Sequence, residues 1–239
     1  MTAVLKVLTD YCDKYVDDVR LTELKTTDFP LWAFKMWAYL NSGLPFFTIP
    51  SEMLSYLVGE DGEKLTTPLF GTFQTVTEED HAAGVSFTIN STYVDYDYCS
   101  ARIVGRKQNG DVFYTPLPSA YNSETGDIEV TPQSDIPTGA TIEIDLYKDG
   151  AFEENLRMDV MRILGLCFAC AWELRFINDW LSNVSKIEDS SFYEQNRANK
   201  ENADTERYKM LKGELDSAMR RLDTNNEYRN VVLGRRTGY

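Results

Sequence analysis

Residues 153–181 read EENLRMDVMRILGLCFACAWELRFINDWL, and the spacing of their apolar side chains decides the fold. Leu156, Val160, Ile163, Cys167, Ala171, Leu174 and Leu181 recur at helical intervals, with Met161, Leu164, Phe168, Trp172 and Phe176 in a second line beside them. From Ile163 to Trp172 no polar side chain interrupts the run, so this part needs cover on nearly all sides. It is too short for a bilayer, which takes about 20 apolar residues. The stretch predicts a buried central helix, roughly 40 Å long at a rise of 1.5 Å per residue.

Upstream of it the texture is different. Residues 68–150 hold most of the turn-forming glycines and prolines and alternate with a period of two: Val85, Phe87 and Ile89 against Ser86 and Thr88, and Ile142, Ile144 and Leu146 against Glu143 and Asp145. Tyr93, Ile103, Val104, Val112, Tyr114, Ile128 and Val130 mark further short strands. Asn109-Gly110 is a hairpin signal, and SETGD at 123–127 and DIPTG at 135–139 read as two more turns. Strands at this spacing predict a small antiparallel sandwich or barrel.

Still further upstream the chain is helical again. Val4, Leu8, Tyr11, Tyr15 and Val19 predict an amphipathic helix over 3–20, followed by a polar connection, LTELKTTD. Asp28 can cap a second helix that tolerates Pro30 in its first turn and stops at Gly43 and Pro45. A short helix is expected at 52–58. Downstream of the central helix, a polar interval leads into a last helix over 194–222 whose face is Tyr208, Leu211, Leu215, Ala218 and Leu222. The end of the chain, NNEYRNVVLGRRTGY, has no helical period and reads as an extended arm. The expectation is therefore an α+β protein. Its helical body spans 1–66 and 151–225, an antiparallel β domain is inserted at 67–150, and a C-terminal arm covers 226–239.

Charge and composition narrow the function classes. The 239 residues carry a net charge of −14, which argues against a general nucleic-acid binder. From Lys200 onward nine Lys/Arg face seven Asp/Glu, leaving −16 for residues 1–199. Cys12, Cys99, Cys167 and Cys170 are too few and too scattered for a disulfide framework, and the N-terminal residues lack the apolar core of a signal peptide. Synthesis in the cytosol with reduced thiols is expected, and no membrane span.

No motif carries catalysis. Cys167-Phe-Ala-Cys170 lacks two further zinc ligands and lies mid-helix among large apolar side chains, so buried structural thiols are expected. His81 is the only histidine, in a loop that reads as solvated, and there is no nucleophile turn for it to serve. Asp95 and Asp97 place two carboxylates on one face of a strand, without the spaced oxygen ligands of a calcium loop. Neither metal nor cofactor is expected, and not an enzyme. The arm is different: Arg229, Val231, Val232, Leu233, Arg235, Arg236 and Tyr239 combine apolar and basic side chains, and such a segment has reason to dock on a partner. A second possibility is a β module that holds a carbohydrate or protein through tyrosines 93, 96, 98, 114 and 121.

The order of parts resembles that of phage head–tail adaptor (neck, or connector) proteins with a β insertion. The junction IEIDLYKDGAFEENL, the aromatic helix with Trp172, and the helix 194–222 followed by an arm carry the resemblance. It implies a structural virion protein, assembled in the host cytoplasm, that forms a ring, commonly of twelve copies, beneath the portal. Such a ring meets the portal and neighbouring neck or tail ring proteins. It encloses DNA without sequence-specific binding, and an acidic body suits a channel to which DNA must not stick.

Overall fold

A computed structural model describes residues 1–49, 67–106, 111–152, 155–184 and 191–232, with the backbone alone for 106, 176–184, 191–202 and 226–232. The short helix expected at 52–58 and the Asn109-Gly110 turn lie outside the described residues. The architecture is α+β with antiparallel sheets between helices, in two compact units. One takes Met1–Asp17 with the described parts of Met36–Thr66 and Phe152–Tyr239. The other takes Asp18–Lys35 and the described parts of Thr67–Ala151.

The N-terminal segment does not form the single helix expected over 3–20. Helix α1 (Val4–Val7) runs into a π turn (Leu8–Cys12) and a 3₁₀ turn (Asp13–Tyr15), and the backbone then extends at Val16. Asp18, also extended, caps a separate helix α2 (Val19–Thr27) by accepting the Arg20 N–H at 2.9 Å. The carboxylate cap offers the backbone a better alternative to continuing, so all of LTELKTTD but its last residue, Asp28, is helical rather than a connection. Helix α3 (Phe29–Gly43) begins and ends as its sequence predicts: the Asp28 carboxylate accepts the Leu31 N–H at 3.3 Å, and Gly43 closes it.

In the helical unit, α4 (Met158–Val184) is the buried element. Val160, Met161, Ile163, Leu164 and every residue from Leu166 to Glu173 are buried, with Phe168 and Trp172 fully so. It starts later than residue 153, because the chain before it is held otherwise: the Leu156 N–H donates to the Thr2 hydroxyl at 2.7 Å. Two glycines let backbone press on backbone. A Cβ at Gly165 would lie 2.5 Å from the Tyr11 carbonyl oxygen, and one at Gly43 would lie 2.4 Å from that of Cys167. Helix α5 (Ser191–Val232) packs on α4 through Leu211, Leu215, Met219 and Leu222. Met219 takes the core position that periodicity gave to Ala218, which is half-buried.

Helix α5 also corrects the expected arm at its beginning. Residues 226–232 continue the helix, and 233–239 lie outside the described residues. Nothing between Leu222 and Val232 breaks a helix: that stretch has no glycine and no proline, and the next glycine is Gly234. Propagating an existing helix is cheap, whereas starting one is not.

Among the described residues, the sheet unit has seven strands in a four-stranded and a three-stranded antiparallel sheet. A four-stranded sheet runs in the order β1 (Leu69–Val76), β7 (Thr141–Lys148), β3 (Tyr98–Arg106), β4 (Val112–Leu117). A three-stranded sheet runs β2 (Phe87–Ile89), β6 (Ile128–Val130), β5 (Ser119–Tyr121). Separate sheets make this a sandwich. Its core joins Ile89, Ala101, Leu117, Ile128, Val130, Ile136, Ile142, Ile144 and Leu146. Gly126 and Gly139 adopt left-handed φ of 79° and 83° in the two turns read from the sequence.

Strand β7 is covered on both faces. Ile142, Ile144 and Leu146 point into the sandwich, while Tyr147, fully buried, faces the other way and meets Phe29 at a ring distance of 6.0 Å. Residues 18–35 thus form a helical layer on the four-stranded sheet, and the unit is larger than the 67–150 insertion expected.

Candidate functional site

The outward face of the four-stranded sheet carries a charged cluster that sequence reading missed. Register places Arg102 of β3 opposite Glu143 of β7, with Asp145 next on the same face. The α3 layer supplies Asp28. Arg102 Nε donates to Glu143 at 2.9 Å, its Nη2 also reaches Glu143 and lies 2.7 Å from Asp145, and its Nη1 meets Asp28. The remaining oxygens are occupied too. Ser100 donates to Asp28 at 2.5 Å, Gln74 to Glu143 at 2.6 Å and Thr72 to Asp145 at 2.6 Å. All six carboxylate oxygens therefore have a donor.

Burial and pairing pull these groups apart. Burial pushes Asp145 above the usual carboxylate range, with Thr72 and Arg102 only partly offsetting it. Burial acts the same way on Glu143, but hydrogen bonds from Arg102 and Gln74 outweigh it and hold that carboxyl low. Small cavities of about 240 and 330 Å³ flank Arg102, the first between Phe34 and Phe70, the second beside Tyr114 and Pro116. Each carboxylate oxygen has at least one donor, so the cluster is internally satisfied. What it can do is fix the start of α3 to the sheet.

Residues singled out by sequence fall elsewhere. Cys167 and Cys170 are fully buried; burial pushes the Cys167 thiol far up and that of Cys170 to about 11, so both stay protonated at neutral pH. His81 is not a solvated side chain. It is half-buried, stacks on Phe87 at 3.6 Å, and exchanges backbone hydrogen bonds with Ile136. Asp95 and Asp97 precede β3 instead of lying in a strand; Asp95 has φ 66° and pairs with Lys148, and Asp97 accepts the Asp149 N–H at 2.7 Å. The tyrosines divide: Tyr93 stacks on Phe73, Tyr121 donates to the Tyr93 carbonyl, and Tyr98 lies 4.6 Å from Phe29, but Tyr114 is more than half exposed beneath Arg102. Among the described residues, no group of three or more His, Cys, Asp or Glu is placed to hold a metal. No helix there is long and apolar enough to cross a membrane.

In the helical unit a second arginine joins three segments. Arg207 of α5 lies 2.9 Å from Glu173 of α4 and 2.8 Å from Asp17, which also accepts the Trp172 indole N–H at 3.4 Å. Beside this seam an open groove of about 660 Å³ runs between α4 and α5. Asp159, Arg162, Ile163 and Leu166 line its α4 side, and its α5 side includes Met210, Gly213, Glu214, Ser217, Ala218 and Arg221. Of the proposed partner-binding residues, Arg229, Val231 and Val232 sit on the last turns of α5, while Leu233, Arg235, Arg236 and Tyr239 lie outside the described residues.

No family model, no curated protein sequence and no solved structure matches the chain.

Proposed function

We propose that the protein is a structural virion component, a ring-forming head–tail connector of a tailed phage that extends the DNA channel beneath the portal. The observation that supports it most is the 42-residue helix α5. One stripe of it packs on α4 and Arg207 pairs with Glu173 and Asp17, while Glu206, Lys209, Glu214, Ser217, Arg220 and Arg221 are exposed. A helix this long exceeds what a core of this size needs and suits a subunit whose surfaces meet other subunits. The order of a helical body, an antiparallel β module and two long helices fits the same reading, as does the acidic balance of −14 around a DNA path. In this reading the segment from Arg229 to Tyr239 contacts the adjacent ring.

Negative-stain microscopy of the purified protein, alone and with candidate portal proteins, tests the proposal. Closed rings, of about twelve copies by the resemblance, and binding end-on to a portal are expected. A protein that never forms rings and binds no portal overturns it. A second reading, an accessory β module, draws on edge strand β4, where Val112, Phe113 and Tyr114 are all at least 43% exposed. Binding of a glycan or protein by the isolated subunit, lost in Tyr114→Ala, would favour it.

A further inference from the structure

The α5 side of the groove between α4 and α5 carries one acidic and one basic residue that could complement each other between two copies. Along α5 its lining residues include Glu214, Ser217, Ala218 and Arg221. Glu214 and Arg221 are equidistant from the midpoint between Ser217 and Ala218, two helical turns and about 10 Å apart. If a second α5 lies antiparallel across a two-fold axis at that midpoint, each Glu214 faces an Arg221 of the partner subunit, twice over. A two-fold contact requires this kind of self-complementarity, because the same patch meets itself.

The surroundings suit such an approach. Ser217 and Ala218 are small at the axis, where two helices come nearest. Gly213 is exposed, and a Cβ added there would meet nothing within 4 Å. A glycine inside a helix costs about 1 kcal/mol relative to alanine, so an open one is more easily understood where another backbone closes in. Met210, 58% exposed, gives an adaptable apolar contact at one end. Glu214 and Arg221 are exposed, and neither is in an ion pair with another described residue. Charge also permits a second copy as the occupant. Two copies of a chain at −14 repel each other, yet the charged residues lining this groove are Asp159, Arg162, Glu214 and Arg221, which sum to zero. Copies can meet here without net repulsion.

We propose that the α4/α5 groove is a two-fold contact surface on which a second copy of this chain docks, α5 antiparallel to α5, with reciprocal Glu214–Arg221 pairs. The contact does not rest on the connector reading, since a subunit of any function could pair this way.

Sedimentation and light scattering on the full chain over a range of concentrations test it. The wild type is expected to show a monomer–dimer equilibrium that weakens with salt as the charges are screened. Glu214→Arg and Arg221→Glu, each alone, place like charges opposite one another and should raise the dimer Kd about tenfold or more. Both are surface changes, so circular dichroism and melting should stay as in wild type. The decisive arm mixes the two variants: the chain with Glu214→Arg presents two positive positions and the chain with Arg221→Glu two negative ones, so the mixture should pair where neither does alone. The double variant, with both charges exchanged, should pair with itself again. A wild type that stays monomeric, a dimer indifferent to both reversals, or a mixture that fails to associate overturns the proposal. Rings that ignore both reversals sink the two-fold pair and leave the connector reading standing; a charge-obedient dimer that forms no ring with a portal does the reverse.

Discussion

Arg102 in the sheet unit and Arg207 in the helical unit use the same chemistry under different burial. The Arg102 side chain is 16% exposed and its three carboxylates are 9–14% exposed. Arg207 is 40% exposed and holds one buried carboxylate, Glu173, and one exposed one, Asp17. The comparison teaches that an ion pair's geometry does not set the cost of losing it; what matters is whether water can replace the missing partner. Around Arg102 it cannot do so easily, and around Arg207 it can reach one side.

The strongest way to break the comparison is Arg102→Met. Three carboxylates would remain on a covered sheet face, and a loss of about 3–5 kcal/mol is expected in urea unfolding followed by circular dichroism. Arg102→Lys should recover only part, because one ammonium cannot span the fork that Asp28, Glu143 and Asp145 occupy. A loss below about 1 kcal/mol would mean that water serves these carboxylates as well as the guanidinium does.

Beside Arg207, Trp172→Ala should cost a similar ~3–5 kcal/mol, but for loss of packing and not of charge, since the ring is fully buried. Trp172→Phe separates the two contributions: it keeps most of the packing and removes a 3.4 Å hydrogen bond to Asp17, so most of the stability should survive. An equal loss in both variants would assign the effect to the hydrogen bond. Arg207→Met should be milder than Arg102→Met, about 1–3 kcal/mol, with Glu173 as the stranded group. If thermal melts rank the two arginine variants the other way, burial is not what distinguishes the clusters.

The smallest expected effect is a pH slope. Burial holds Glu173 above the ordinary glutamate value, and Arg207 pulls it partly back. The folded chain therefore binds this proton more tightly than the unfolded chain does. Its contribution to stability is present at low pH and is lost as pH rises from about 4.5 through the raised folded value. Asp17 has the opposite sign: burial would raise it, but hydrogen bonds from Arg207 and Trp172 outweigh that and hold it low. Stability from Asp17 is lost as pH falls, and its exposure keeps the effect small. Glu173→Gln should flatten the decline in Tm above pH 4.5 without altering the acid side, where Asp17 acts. An unchanged profile would remove Glu173 from the account.

Sequence by itself determined what local periodicity can carry. The uninterrupted run around Phe168 and Trp172 required a covered helix, alternation at Ile142, Ile144 and Leu146 required a sheet with an apolar face, and Asp28 and Gly43 bounded α3. These are near-neighbour effects, read within one or two turns of chain. Only the tertiary structure decided the rest. Arg102, Glu143 and Asp145 come together through strand register across 41 and 43 residues, and Asp28 joins them across 74. No spacing rule reports such a meeting. The alternation that put Glu143 and Asp145 on the outer face gave no sign that helices 18–35 would cover it. The break at Val16 and the run of α5 to Val232 turned on small differences, a side-chain cap in one case and the absence of a breaker in the other. The groove's two-fold pattern is written in residues 210–225, but the pattern is a surface only because Leu211, Leu215, Met219 and Leu222 are spent on α4 and leave Glu214 and Arg221 facing out.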